Sequence, residues 1–134
     1  MVQKAILLLL LVIAQFSANA QKYSLEKKIS EKYSVSASDK LEISNRYGEM
    51  VINTWSQNQI TVDIKIEVWG KNQGNAQELL DRISIDYGKS GNVISFETKI
   101  ESNKGSWGWN NDKSGFKINY TINMPKGNPL DLSN

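Results

Sequence analysis

The sequence has no cysteine and no histidine, and each absence excludes a class of chemistry. Without cysteine there can be no disulfide, no thiol nucleophile and no thiolate metal ligand. Without histidine the commonest general base near neutral pH is missing. The sequence therefore predicts a protein that is not an enzyme, with no catalytic residues, no metal site and no cofactor.

The acidic residues do not replace the missing catalytic groups. Asp63 and Glu67 share one face of a predicted strand, but at ~3.3 Å per residue they lie ~13 Å apart. Glycoside hydrolysis needs two carboxyl groups about 5–9.5 Å apart. Lys65 lies between the two acids, and Glu97 and Glu101 repeat the same spacing. We interpret both sets as solvated charge ladders.

Long apolar runs are also scarce, and the one present lies at residues 5–14 (AILLLLLVIA). Lys4 precedes it and Ala18-Asn19-Ala20 follows, which is the order of a cleaved secretory signal. The alternative is an uncleaved anchor, but a membrane span needs about 20 apolar residues. We predict cleavage before Gln21, no stable membrane insertion afterwards, and a periplasmic, cell-surface or secreted protein.

The charge balance is nearly neutral, with 16 basic and 14 acidic residues. Removal of the signal takes away Lys4, so that 15 minus 14 leaves +1. The basic residues are scattered among acidic ones, whereas nucleic-acid binding needs a clustered basic face. We therefore predict no nucleic-acid partner.

Apolar residues alternate with polar ones along most of the remaining chain, which is typical of strands with one solvated face. The clearest case is ITVDIKIEV, and FKINYTINM repeats the pattern until Pro125. Predicted strands cover residues 31–36, 41–44, 50–55, 60–68, 83–87, 94–100, 116–124 and 130–132, and GKSGN is a predicted hairpin turn. The fold class is therefore mainly β, a sandwich or flattened β-solenoid of amphipathic strands.

One short helix is predicted at about residues 75–83 (NAQELLDRI). Asn75 can cap it, and Glu78 stands three residues later as in a capping box. Leu79, Leu80 and Ile83 supply a short apolar stripe.

A motif occurs twice, as LEISN at residues 41–45 and as LDLSN at residues 130–134. The first copy continues through Arg46-Tyr47-Gly48 into another strand. Asn45 and Gly48 suit a chain corner, Gly48 because it can adopt a positive φ, and Tyr47 would pack over the corner. One such corner per repeat is typical of β-repeat arrays.

These segments resemble a known family. KLEISNRYGEMVINTW, NAQELLDRISIDYGKSGNVISFETKI and INYTINMPKGNPLDLSN are similar to the N-terminal portion of the putative-adhesin domain family of exported bacterial proteins. The resemblance covers about residues 30–134. It implies stacked β repeats in an elongated β-solenoid, with further Tyr-Gly repeats after the second LSN.

The expected organisation follows from these patterns. Residues 1–20 form a signal peptide, residues 21–38 a polar segment with an edge strand, and residues 39–134 a β domain. Because the second motif stops at Asn134, we expect a fragment truncated at the start of a further repeat. An uncovered strand at that point would make the chain self-associate.

The loop NKGSWGWNNDKSG offers one candidate ligand site. Trp107 and Trp109 stand two residues apart, so an extended chain would present both indoles on one side for a sugar or a protein partner. The alternative, which we favour, is that they cover an open end of the core. Residues 110–115 fit half of a calcium loop, but position 12 is Thr121 where a glutamate is required.

The function predicted from the sequence is an exported, non-enzymatic, adhesin-like β-repeat domain. It would bind a surface or serve a structural role in the cell envelope, with a glycan or a surface protein as partner. The first alternative is a carbohydrate-binding module that uses Trp107 and Trp109. The second is an envelope sensor or enzyme accessory domain whose active part lies elsewhere.

Overall fold

Two four-stranded sheets make up the fold. The computed structural model describes residues 23–102 and 114–134. In chain order the elements are β1 (Tyr23–Ser34), β2 (Lys40–Ser44), β3 (Met50–Trp55), β4 (Gln59–Gly70), α1 (Gln73–Asp81), β5 (Ile83–Ser90), β6 (Val93–Ile100), β7 (Gly115–Pro125) and β8 (Leu130–Ser133). One sheet has the order β1-β4-β7-β3 and the other β5-β6-β2-β8. The predicted fold class is confirmed, and the architecture is a sandwich.

The core lies between the two sheets and consists of the apolar residues that alternate along the predicted strands. β4 and β7 are antiparallel neighbours in the middle of the first sheet. Their apolar positions are buried, as the period of two predicts. The most buried side chains are Leu41, Ile43, Ile60, Val62, Ile64, Ile66, Val68, Ile94, Phe96, Ile118, Tyr120 and Ile122.

β1 is longer than the strand predicted at residues 31–36. It pairs with β4 along its whole length, from Tyr23 opposite Gly70 to Ser34 opposite Gln59. Its apolar content is low because it is the edge strand of its sheet and only some inward positions reach the core. β1 forms by pairing with β4, whose apolar and polar residues alternate strictly. The weaker alternation of β1 itself therefore underestimates the length of that strand.

The helix begins two residues earlier than predicted. Asn72, not Asn75, is the N-cap, and its side-chain oxygen accepts a hydrogen bond from the Asn75 backbone N–H at 2.9 Å. The predicted capping box is also wrong, because the Glu78 carboxylate pairs with Arg82 one turn later. Ala76 and Leu79 are the buried side chains of α1, which packs against β1, β4 and β5.

The hairpin between β5 and β6 is tighter than GKSGN suggests. The strand continues through Ser90, and the turn consists of Gly91 and Asn92 alone. Gly91 has φ of 60°, and a positive φ at the first central position is the requirement of a type II′ turn.

The chain crosses from one sheet to the other between β2 and β3. β2 lies in the second sheet, paired in parallel with β6 and with β8. β3 lies in the first sheet, paired in parallel with β7. Within residues 23–102 and 114–134, no helix is long and apolar enough to cross a membrane.

Candidate functional site

The two copies of the repeated motif lie side by side. β2 and β8 are parallel neighbours, with Leu41 opposite Leu130 and Ile43 opposite Leu132. The Leu41 backbone N–H donates to the Pro129 carbonyl at 3.0 Å. The repeat in the sequence is therefore a repeat in space, and identical positions of the two copies share one face of the sheet.

The same two positions differ sharply in burial between the copies. Leu41 and Ile43 are 0% and 1% exposed, whereas Leu130 and Leu132 are 38% and 40% exposed. The difference follows from position, because β2 is flanked by β6 and β8 whereas β8 is the edge of its sheet. An edge strand with two exposed leucines is a ready template for a further strand.

Only the backbone groups of β8 that point toward β2 form hydrogen bonds with that strand. Pro129 and Ser133 accept hydrogen bonds from β2 through their carbonyl oxygens. Since bonded positions alternate along a strand, the N–H and C=O groups of Leu130 and Leu132 point away from β2. Among the described residues, the outer side of β8 thus combines exposed apolar side chains with backbone groups that pair with no strand.

Charged side chains surround this edge on its solvent face. Lys40 lies 3.1 Å from the Glu42 carboxylate and 3.9 Å from that of Asp131. Glu42 and Asp131 are register neighbours, so Lys40 screens two like charges that would otherwise repel each other. These groups are exposed, so each pair contributes at most about 1 kcal/mol to stability.

Asn45 anchors the corner that follows β2. Its backbone N–H donates to the Ser133 carbonyl at 3.1 Å. Its side-chain amide donates to the Ile118 carbonyl on β7 at 3.0 Å. One buried asparagine therefore ties together β8, β2 and the facing sheet. Its own side-chain oxygen is buried and has no hydrogen-bond partner among the described residues.

Gly48 serves the corner by close approach rather than by a left-handed conformation. Its φ is not positive, which corrects the sequence expectation. A Cβ at this position would overlap the carbonyl oxygen of Ile118 and lie 2.8 Å from its carbonyl carbon. On either side the backbone is bonded to β7, since Ile118 N–H donates to Tyr47 O and Tyr120 N–H to Glu49 O, both at 2.9 Å.

Tyr47 packs its ring on Phe116, with centroids 5.4 Å apart. The Glu49 N–H is bonded to the Asn119 side chain at 2.9 Å. Asn45, Tyr47 and Gly48 are thus brought together at one corner against β7. Their contacts hold β2, and with it the paired edge strand β8, in a fixed position.

The other predicted ligand residues are placed differently. Trp107 and Trp109, and with them most of the half calcium loop, lie outside the described residues. Residues 23–102 and 114–134 contain no group of three or more acidic side chains arranged to hold a metal ion. On the outer face of β4, Lys65 lies 3.0 Å from Glu67 and 3.6 Å from Glu26, and hydrogen bonding to Glu67 raises the pKa of Lys65.

A second cluster was not found from the sequence. Tyr33 on β1 and Tyr87 on β5 both contact Phe96, although they belong to opposite sheets. Their only signal in the sequence is a tyrosine at an apolar position of a strand. Their contact through Phe96 depends on how the two sheets face each other, and the apolar–polar alternation of each strand carries no information on that.

No family profile and no curated protein matches this sequence. Among solved structures, a "putative cell adhesion protein" from Clostridium sporogenes is similar at 15% identity and a TM-score of 0.41, covering 79% of this chain and 46% of that one. A "putative adhesin" from Parabacteroides distasonis is 19% identical with a TM-score of 0.32, covering 73% and 32%. A "putative lipid binding protein" from the same species is 11% identical with a TM-score of 0.35, covering 79% and 37%. The chain spans less than half the length of each of these structures.

Proposed function

We propose that this protein is an exported, non-enzymatic β domain of the cell envelope that binds its partner by strand addition at β8. One observation carries the proposal. The two copies of the motif pair in register, and the second copy leaves its outer backbone groups and two leucines exposed at the sheet edge. Strand addition uses those groups, because main-chain hydrogen bonds give affinity and alternate side chains give specificity.

The geometry of β2 and β8 defines the partner that fits. β2 lies on the inner side of β8 as a parallel strand with apolar residues at alternate positions. A strand of the same pattern on the outer side would place its apolar residues beside Leu130 and Leu132. Burying each leucine contributes at most about 2 kcal/mol. The partner is therefore an extended segment of the form apolar-x-apolar.

A peptide with the sequence of the first motif tests the proposal. We expect a fluorescent peptide of residues 39–48 (DKLEISNRYG) to bind the protein saturably in an anisotropy titration. The matched control is the same peptide with Leu41→Lys and Ile43→Lys, which should not bind because its apolar face is lost. A protein with Leu130→Lys and Leu132→Lys should bind neither peptide. Equal binding of the two peptides, or no binding of the first, would show that β8 does not accept a strand.

A further inference from the structure

Aromatic rings from both sheets meet near a carboxylate on the side of the sandwich that carries the edge strands β1 and β5. Tyr87 stacks on Phe96 with centroids 5.3 Å apart and an interplanar angle of 7°. Tyr33 meets Phe96 edge-on at 6.2 Å. Phe96 is buried, but Tyr87 is 41% exposed. One face of the Tyr87 ring is thus occupied by Phe96, and much of the rest is open to solvent.

Glu31 supplies the charge. It precedes Tyr33 by two residues and so points from β1 toward the same side, the inner face of the strand. Its carboxylate lies within hydrogen-bonding reach of the Tyr87 hydroxyl, and that contact raises the pKa of Tyr87. The same carboxylate, after partial burial, also raises the pKa of Tyr33. The Glu31 carboxylate therefore acts on the hydroxyl groups of both tyrosines.

No basic side chain in the described part of the chain forms an ion pair with this carboxylate. None of the ion pairs among residues 23–102 and 114–134 includes Glu31. Lys89 stands two residues after Tyr87 on the same face of β5, but it pairs with Asp39 at 3.4 Å. Over residues 23–102 and 114–134, this half-buried carboxylate near two tyrosines therefore has no ion-pair partner.

We propose that Glu31, Tyr33 and Tyr87 form a binding site for an alkylammonium group. The faces of tyrosine rings attract cations through their quadrupole, and a neighbouring carboxylate adds a charge partner. A lysine side chain and a quaternary ammonium compound share the chemistry that this site would recognise, which is one positive charge next to aliphatic carbon. This site is separate from β8 and goes beyond the strand-addition function.

A different explanation of Glu31 makes the opposite predictions. A charged residue pointing inward on an edge strand also discourages pairing with another sheet. That role needs no ligand and no nearby aromatic ring, and it would leave the protein indifferent to small cations.

Choline, Nα-acetyl-lysine methylamide and the neutral choline isostere 3,3-dimethylbutan-1-ol are the probes. In titrations followed by aromatic NMR resonances, we expect choline or the lysine derivative to shift the Tyr33 and Tyr87 signals saturably. The neutral alcohol should bind about tenfold more weakly or not at all, because it lacks the cation–π attraction. The stronger of the two cations identifies the source of the ammonium.

Variants separate binding from folding. Glu31→Gln should weaken cation binding about tenfold while the rings stay in place. Tyr87→Leu should abolish cation binding. If the leucine variant does not fold, Tyr87→Phe, which keeps the ring, is the variant to use. Glu97→Gln, on the outer face of β6, is the matched control and should bind as the unaltered protein does. The proposal is overturned if neither cation shifts these signals, if the neutral alcohol binds as well as choline, or if Glu31→Gln leaves binding unchanged.

Discussion

Gly48 lies where the chain leaves β2 and runs against the backbone of β7 before entering β3. The nearest atom to a Cβ at this point would be the backbone carbonyl oxygen of Ile118, to which Asn45 is also bonded. The next is the Asn119 side-chain oxygen, which already accepts a hydrogen bond from the Glu49 N–H. A side chain at residue 48 cannot be accommodated by a rotamer change elsewhere. It must push two strands apart.

We therefore predict that Gly48→Ala lowers the free energy of unfolding by about 3 kcal/mol or more, at or beyond the upper end of overpacking costs. Urea denaturation followed by tryptophan fluorescence measures the change. Gly127→Ala is the matched control, because a Cβ there meets nothing within 4 Å and its φ is not positive. Similar losses for the two variants would mean that the close approach at the corner is not what requires glycine.

Asp39 links three parts of the chain before β2 begins. Its carboxylate accepts a hydrogen bond from the Ser36 backbone N–H at 2.9 Å and from the Lys89 ammonium at 3.4 Å. These contacts, led by the Ser36 N–H, hold the pKa of Asp39 below its ordinary value of 3.8. The folded protein therefore binds this proton more weakly than the unfolded chain does.

The resulting stabilisation is complete above the unfolded pKa of about 4 and is lost as the pH falls through the lower folded value. We predict that unfolding free energy drops between about pH 5 and pH 2, and that Asp39→Asn drops less. Asp131→Asn, which alters an exposed side chain, is the control and should follow the unaltered protein. Parallel pH curves for the unaltered protein and Asp39→Asn would contradict this assignment.

β8 is the element on which the proposed function depends. We predict that the protein self-associates in sedimentation velocity experiments, because the outer edge of β8 offers backbone groups and two leucines to a second copy. Leu130→Lys together with Leu132→Lys should give a monomer with unchanged secondary structure, since both side chains are exposed.

The control places the same chemical change on another strand. Val51 on β3 is 46% exposed, and Val51→Lys should leave association intact. A monomeric unaltered protein would refute self-association through β8, whereas a monomeric Val51→Lys variant would assign the contact to β3.

The elements differ in how well the sequence predicts them. β4 and β7 alternate over nine residues, so their bounds and buried faces were predicted closely. The helix start was misplaced because Asn72 and Asn75 are equally good caps, and only the backbone geometry of Asn72 decides between them. GKSGN contains four turn-forming residues, but only Gly91 and Asn92 lie outside the strands, and of these only Gly91 has a positive φ.

The candidate sites also differ in how much of each could be predicted from the sequence. The repeated motif is visible in the sequence, and its corner residues Asn45, Tyr47 and Gly48 could be selected from residue type. That the two copies would be neighbours in register could not, because pairing between residues so distant in sequence depends on the whole sheet order. The cluster of Glu31, Tyr33 and Tyr87 depends on the facing of two sheets and carries no local pattern.

At the scale of the whole molecule, the first prediction concerns export. The apolar run at residues 5–14 and the Ala-Asn-Ala sequence after it predict cleavage between Ala20 and Gln21. Intact-mass analysis of the protein from the external or periplasmic fraction should give a chain that starts at Gln21. Replacing Ala18 and Ala20 by bulky residues should leave the uncleaved form, because signal peptidase requires small side chains there. Recovery of chains that begin with Met1 in the membrane fraction would contradict the prediction.

The pairing of β2 with β8 also sets the order in which the protein can be completed. β2 appears early in synthesis, but its partners on both sides come later, β6 beginning at Val93 and β8 at Leu130. Chain synthesis adds ~5–20 residues per second, so several seconds pass between the synthesis of Leu41 and Ile43 and that of Leu130 and Leu132. Such distant pairings form slowly because the long intervening loop must close first. Until Leu130 and Leu132 are in place, one side of β2 therefore lacks the strand that pairs with it in the folded protein. An incompletely made chain would offer that side of β2 to a foreign strand, as the folded protein offers the outer side of β8.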